Sequence, residues 1–258
     1  MHTRMYTKMT AAPRSLLLIN GNTDAALTRR LVERARALLP HDREVVGATA
    51  LYGADYIDTR ADAVVAAHAI VETITAELRQ RPAAHFDACL IACFGEPGIG
   101  AARELFPLPI IGMAEASILS ALQLGERFAI VTAGARWPGM LRELMRQQRL
   151  EERCCAVLAL DGRAPHLATR PHEARDAIGT AVVEAVEVHR AEVVIIGGAA
   201  LAGFAQDLQP RCDVPLVCSF AAALAQAEAL AALRRAGTAP RRDGKTPPTV
   251  REMEAAGR

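Results

Sequence analysis

The chain has 258 residues, 51% of them apolar and 23% charged, with a formal net charge of +1. That length allows one large domain or two small ones, each with a well-buried core. The even charge balance and the 4% aromatic content argue against a nucleic-acid surface or a base-stacking platform.

The basic start, MHTRMYTKMTAAPR, leads into an apolar core of only Leu16 to Ile19, too short for a secretory signal. No run approaches the roughly 18 apolar residues of a membrane helix. The expectation is a protein without membrane association, in the cytoplasm, where thiols stay reduced. Short apolar runs then alternate with amphipathic segments. The strand candidates are SLLLIN (15–20), EVVGAT (44–49), ACLIACF (88–94), LPIIGM (108–113), RFAIVTA (127–133), CAVLAL (155–160), EVVIIGG (192–198) and VPLVCS (214–219). Continuous apolar strands between helices predict a mainly parallel sheet covered on both faces. The spacing is compatible with one closed barrel or with two four-stranded sheets. The tail 236–258 and the start 1–13 lack an apolar period and are expected to be poorly ordered.

In either architecture ligands bind outside the carboxyl ends of strands. Asn20, Asn22 and Thr23 follow the first strand, where exposed N–H groups and polar side chains suit a carboxylate, phosphate or imide, and where Asn22 or Thr23 is expected to cap the next helix. Cys93, Phe94 and Gly95 follow the third strand in the turn CFGEPG, Thr132 ends the fifth, and Gly197-Gly198 ends the seventh. A thiol at a strand-to-helix turn is placed to be activated by backbone N–H groups. The other cysteines are Cys89, Cys154, Cys155, Cys212 and Cys218. None forms C-x-x-C, and no histidine stands at a zinc-like offset, so no metal site is predicted. Neither glycine-rich turn matches a nucleotide-binding pattern, and no dinucleotide is expected.

The ordered set INGNT, YIDTRAD, IACFGEPG, IIGMAEAS, FAIVTA and CDVPLVCSFAAALAQAE resembles the aspartate/glutamate/hydantoin racemase superfamily, in its hydantoin and allantoin racemase branch. The resemblance implies an α/β fold of two pseudo-symmetric halves, each a mainly parallel four-stranded sheet flanked by helices, with the active site in the cleft between them. It places 14–112 together with 214–235 in the first half and 113–213 in the second. It also implies a small-molecule substrate, no cofactor, a homo-oligomer, and two cysteines facing opposite sides of an acidic carbon next to carbonyls. Cys93 matches the first of these. Asn20, Asn22, Thr132 and the backbone at Gly95 and Gly197-Gly198 would hold the substrate's oxygens and stabilise an enolate.

The position implied for the second cysteine falls on Gly198, which has no side chain to move a proton. Cys218 is the candidate for a relocated acid, with a buried strand cysteine as the plain alternative. Glu115 and His68 are weaker candidates, since a helix-start acid and a helix-face histidine have ordinary structural roles. One-sided chemistry, as in a decarboxylase or isomerase, and a binding protein that has lost catalysis are the competing explanations.

Overall fold

The computed structural model describes residues 14–81, 83–162, 167 and 169–237. His166 and most of both expected disordered termini lie outside these residues.

All eight expected strands form. In chain order the elements are β1 (Arg14–Asn20), α1 (Ala25–Leu38), β2 (Arg43–Thr49), α2 (Arg60–Gln80), β3 (Phe86–Ile91), α3 (Ile99–Leu105) and β4 (Ile110–Gly112). There follow α4 (Met113–Ala121), β5 (Phe128–Ala133), α5 (Trp137–Gln147), β6 (Cys154–Leu160), α6 (Pro171–Glu187), β7 (Val193–Ile196), α7 (Phe204–Leu208), β8 (Leu216–Cys218) and α8 (Ser219–Arg235). The strands form two four-stranded sheets, ordered β2-β1-β3-β4 and β6-β5-β7-β8, and every pairing is parallel. The two orders are the same pattern repeated, which removes the barrel alternative.

Burial on both faces explains the unbroken apolar runs. Leu16 to Ile19 of β1 and Phe128 to Val131 of β5 are at most 2% exposed. Helix α1 presents Leu27, Leu31 and Ala35 to the core at a spacing of one turn. Its cap is Asp24, whose carboxylate accepts the N–H groups of Ala26 and Leu27, and not Asn22 or Thr23 as expected. Helix α2 begins with a capping box between Thr59 and Asp62.

One expected boundary moves. Residues 214–218 belong to the second sheet, because β8 pairs with β7 through Ile196 and Cys218. Only α8 returns to the first sheet, where it packs on β3. A buried ion cluster pins it there: Arg43 of β2, its side chain 1% exposed, pairs with Asp87 of β3 and with Glu228 of α8 at 2.6 Å. Arg235 reaches the same Asp87 at 2.9 Å.

Candidate active site

The carboxyl ends of β1, β3, β5 and β7 face a common cleft of roughly 650 Å³, its open mouth included. Asn20, Asn22, Cys93, Phe94, Thr132, Gly197 and Gly198 all line it. Thr23, Gly95 and Cys218 do not. Thr23 gives its N–H to Ala54 at 3.0 Å. Cys218 is buried on β8 beside Ile196, so the edge position of that strand keeps its thiol out of the cleft. Glu115 and His68 are also elsewhere: Glu115 pairs with Arg103, and His68 with the Tyr52 hydroxyl. Among the described residues, Cys93 is the only thiol lining the cleft.

Cys93 is 8% exposed. The expected lowering of its pKa is reversed: burial, and secondly the Glu96 carboxylate, push the thiol up to about 12. The reason is local geometry. The turn closes on itself through Glu96 N–H to Cys93 C=O at 3.1 Å, and α3 starts only at Ile99. The thiol thus stands six residues ahead of the helix, with an acid on the same turn acting on it.

The polar lining divides into groups already engaged and groups left open. The Asn20 amide donates to Asn22 Oδ1 at 2.7 Å, to the Asp24 carbonyl at 3.0 Å and to Thr28 Oγ1 at 3.1 Å. Its own oxygen accepts the Asn22 N–H at 3.2 Å. Asn20 is thus consumed in holding Asn22, whose Oδ1 also accepts the Asp24 N–H. Among the described residues no partner engages the Nδ2 of Asn22 or the hydroxyl of Thr132, and both residues line the cleft, so these groups remain for a ligand.

The two glycines of the second half do not offer their N–H groups as expected. Gly197 N–H goes to the Val131 carbonyl at 2.8 Å, and Gly198 N–H to Ser219 Oγ at 3.2 Å. Their role is steric. A Cβ at residue 197 would lie 2.4 Å from the Phe94 ring, and one at residue 95 would lie 2.7 Å from the Trp137 indole. Each half thus presents a glycine on which an aromatic ring from the other half rests. Gly198 has open space around it, with Leu201 3.8 Å from a would-be Cβ, but φ is +133°, which disfavours any side chain.

Sequence reasoning left several lining residues unassigned. Asp55, Tyr56 and Ile57 come from the loop before α2, Trp137 opens α5, and Arg30 reaches over from α1. The Tyr56 hydroxyl donates across the cleft to the Ala133 carbonyl at 3.1 Å. The signal lay in YIDTRAD, which brings a tyrosine and two acids to the start of α2. The charged lining is Asp24, Arg30 and Asp55, with Asp24 occupied as the α1 cap and 3.6 Å from Arg30. Among the described residues no group of three or more His, Cys, Asp or Glu is arranged to hold a metal ion.

These features define a two-sheet α/β protein whose site lies between pseudo-symmetric strand ends. A model of the Asp/Glu/hydantoin racemase family matches residues 16–227, and the chain belongs to that family. It is 30% identical over 223 residues to a hydantoin racemase of Paenarthrobacter aurescens, covering 84% of this chain and 91% of that protein. The crystal structure of an allantoin racemase from Pseudomonas fluorescens superposes with a TM-score of 0.81 at 29% identity, covering 90% of this chain and 95% of that one. An allantoin racemase from Klebsiella pneumoniae gives 0.81 at 28% identity, over 93% and 98% of the two chains.

Proposed function

We propose that the cleft acts on a 5-substituted hydantoin or a related cyclic ureide such as allantoin, with Cys93 exchanging the proton on the acidic ring carbon. The observation that carries this reading is the position of Cys93: a thiol in a cleft whose open donors, Asn22 Nδ2 and the Thr132 hydroxyl, are neutral. Removing the ring proton moves its electrons into the adjacent carbonyl, and neutral donors aimed at that oxygen stabilise the enolate. Tyr56, Phe94 and Trp137 supply apolar walls for the ring and its substituent. A neutral ring suits this lining better than an amino-acid zwitterion, because Arg30 already faces Asp24. The reading requires neither pyridoxal phosphate nor a metal.

Cys93 serves one face of the substrate, and Gly198 supplies no acid for the other. In this reading solvent entering the open cleft protonates the second face, so exchange with retention outruns inversion. The single thiol also favours a second reading, protonation of an enolate from one face only, as after a decarboxylation.

The test is to incubate one enantiomer of a 5-substituted hydantoin with the protein in heavy water. The ring proton is followed by NMR and the handedness by chiral chromatography. Enzyme-dependent exchange that disappears in a folded Cys93→Ser variant is expected. Undiminished exchange in that variant removes Cys93 from the mechanism. Exchange without any inversion selects the one-faced reading, and no exchange with either hydantoin or allantoin overturns the proton-transfer reading.

A further inference from the structure

Glu96 is 3% exposed, three residues after Cys93, and held at φ +34°, a left-handed conformation unusual outside glycine. Its carboxylate crosses to the start of α4, where it accepts the N–H groups of Ala114 at 2.8 Å and Glu115 at 2.9 Å. That helix has Gly112 at its cap position and no side-chain cap of its own. The glycine also makes the room: a Cβ at residue 112 would lie 2.5 Å from Glu96 Cδ. The acid therefore caps a helix from another segment, and α4 is the connection from the first sheet to the second.

We propose that Glu96 is a positioning residue for Cys93, clamping the turn that carries the thiol onto α4 and restraining thiolate formation by its charge. The proposal rests on Cys93 being the working thiol. Burial lifts the Glu96 carboxyl to about 7, against the N–H groups of Ala114, Glu115 and Gly95 that lower it. The groups facing it are Cys93 on its own turn and Glu115 from α4, the latter paired with Arg103 of α3. Two negative charges on Cys93 and Glu96 oppose each other, so above about pH 7 the pair carries a single charge. Above that pH the resting form is the ionised acid beside a protonated thiol. A thiolate arises there only when the charge on Glu96 is relieved or compensated.

The measurement is the rate of Cys93 alkylation by iodoacetamide against pH, with the modified peptide identified by mass spectrometry and Cys93→Ser as the blank. In the wild-type protein the logarithm of the rate rises with pH and then flattens for about one unit above pH 7 as Glu96 ionises. In Glu96→Gln the flattening vanishes and the rate at pH 8 is about tenfold higher, while circular dichroism stays native. Superimposable profiles for the two proteins overturn the proposal and leave Glu96 as a helix cap alone. Should Glu96→Gln not fold, the wild-type profile decides by itself, because an unbroken rise through pH 7 overturns the coupling. Alkylation reports on the thiol whatever the substrate, so this failure is distinct from loss of hydantoin exchange.

Discussion

At the scale of the residue, the balance between Glu96 and its surroundings has a stability signature. A carboxyl raised from an ordinary 4.5 to about 7 binds more protons in the folded chain than in the unfolded one. Stability therefore falls as pH rises from about 4.5 to about 7, by about 3 kcal/mol. Glu96→Gln should remove that slope in urea titrations, leaving the variant more stable than wild type at pH 8. An equal slope in both proteins would mean that the carboxyl is not raised. A group that weakens the fold at neutral pH, in a strained backbone, fits a residue kept for the site and not for packing. The glycines opposite have a different reason: Gly95 and Gly197 admit Trp137 and Phe94, rings from the facing half.

At the scale of the element, the loop before α2 straps the first half to the second. Tyr56 reaches Ala133, Asp58 faces Arg136 at 3.8 Å, and Arg60 pairs with Glu143. The Arg60–Glu143 pair is exposed, so solvent screening leaves it little weight in holding the halves together. The Tyr56 hydrogen bond is shielded and belongs to a residue of the cleft wall. Tyr56→Phe should raise KM for hydantoin exchange about 2–10-fold while leaving the pH profile of Cys93 alkylation unchanged. An altered alkylation profile would show that the strap acts on the thiol turn and not on the substrate.

At the scale of the whole molecule, α8 joins the halves. It leaves β8 of the second sheet with Ser219 holding the Gly198 N–H, and ends on the first sheet in the Arg43 cluster. Replacing Arg43 with Met leaves Glu228 without its cation and Asp87 with Arg235 alone. The expected cost in chemical denaturation is about 3 kcal/mol, the lower end for a broken buried pair because both carboxylates keep some contact with water. A loss below about 1 kcal/mol would show that packing of α8 on β3 suffices without the cluster.

The eight strands, the helices between them and the strand-end positions of Asn20, Cys93, Thr132 and Gly198 were legible in the amino-acid sequence. Apolar periodicity and turn residues are local properties, and buried parallel strands record them as unbroken runs. Which sheet β8 joins was not legible, because an apolar run can pair with any free edge. Nor was the ionisation of Cys93: the turn reads as an activating one until Glu96 folds back to the start of α4, eighteen residues ahead of it. The exclusion of Cys218, the engagement of Asn20 and of both glycine N–H groups, and the arrival of Tyr56 and Trp137 all depend on contacts between distant segments. Sequence determined what each strand end offers; tertiary packing decided which offers stay open, since a hydrogen-bonding group spent on a neighbour is no longer available to a ligand.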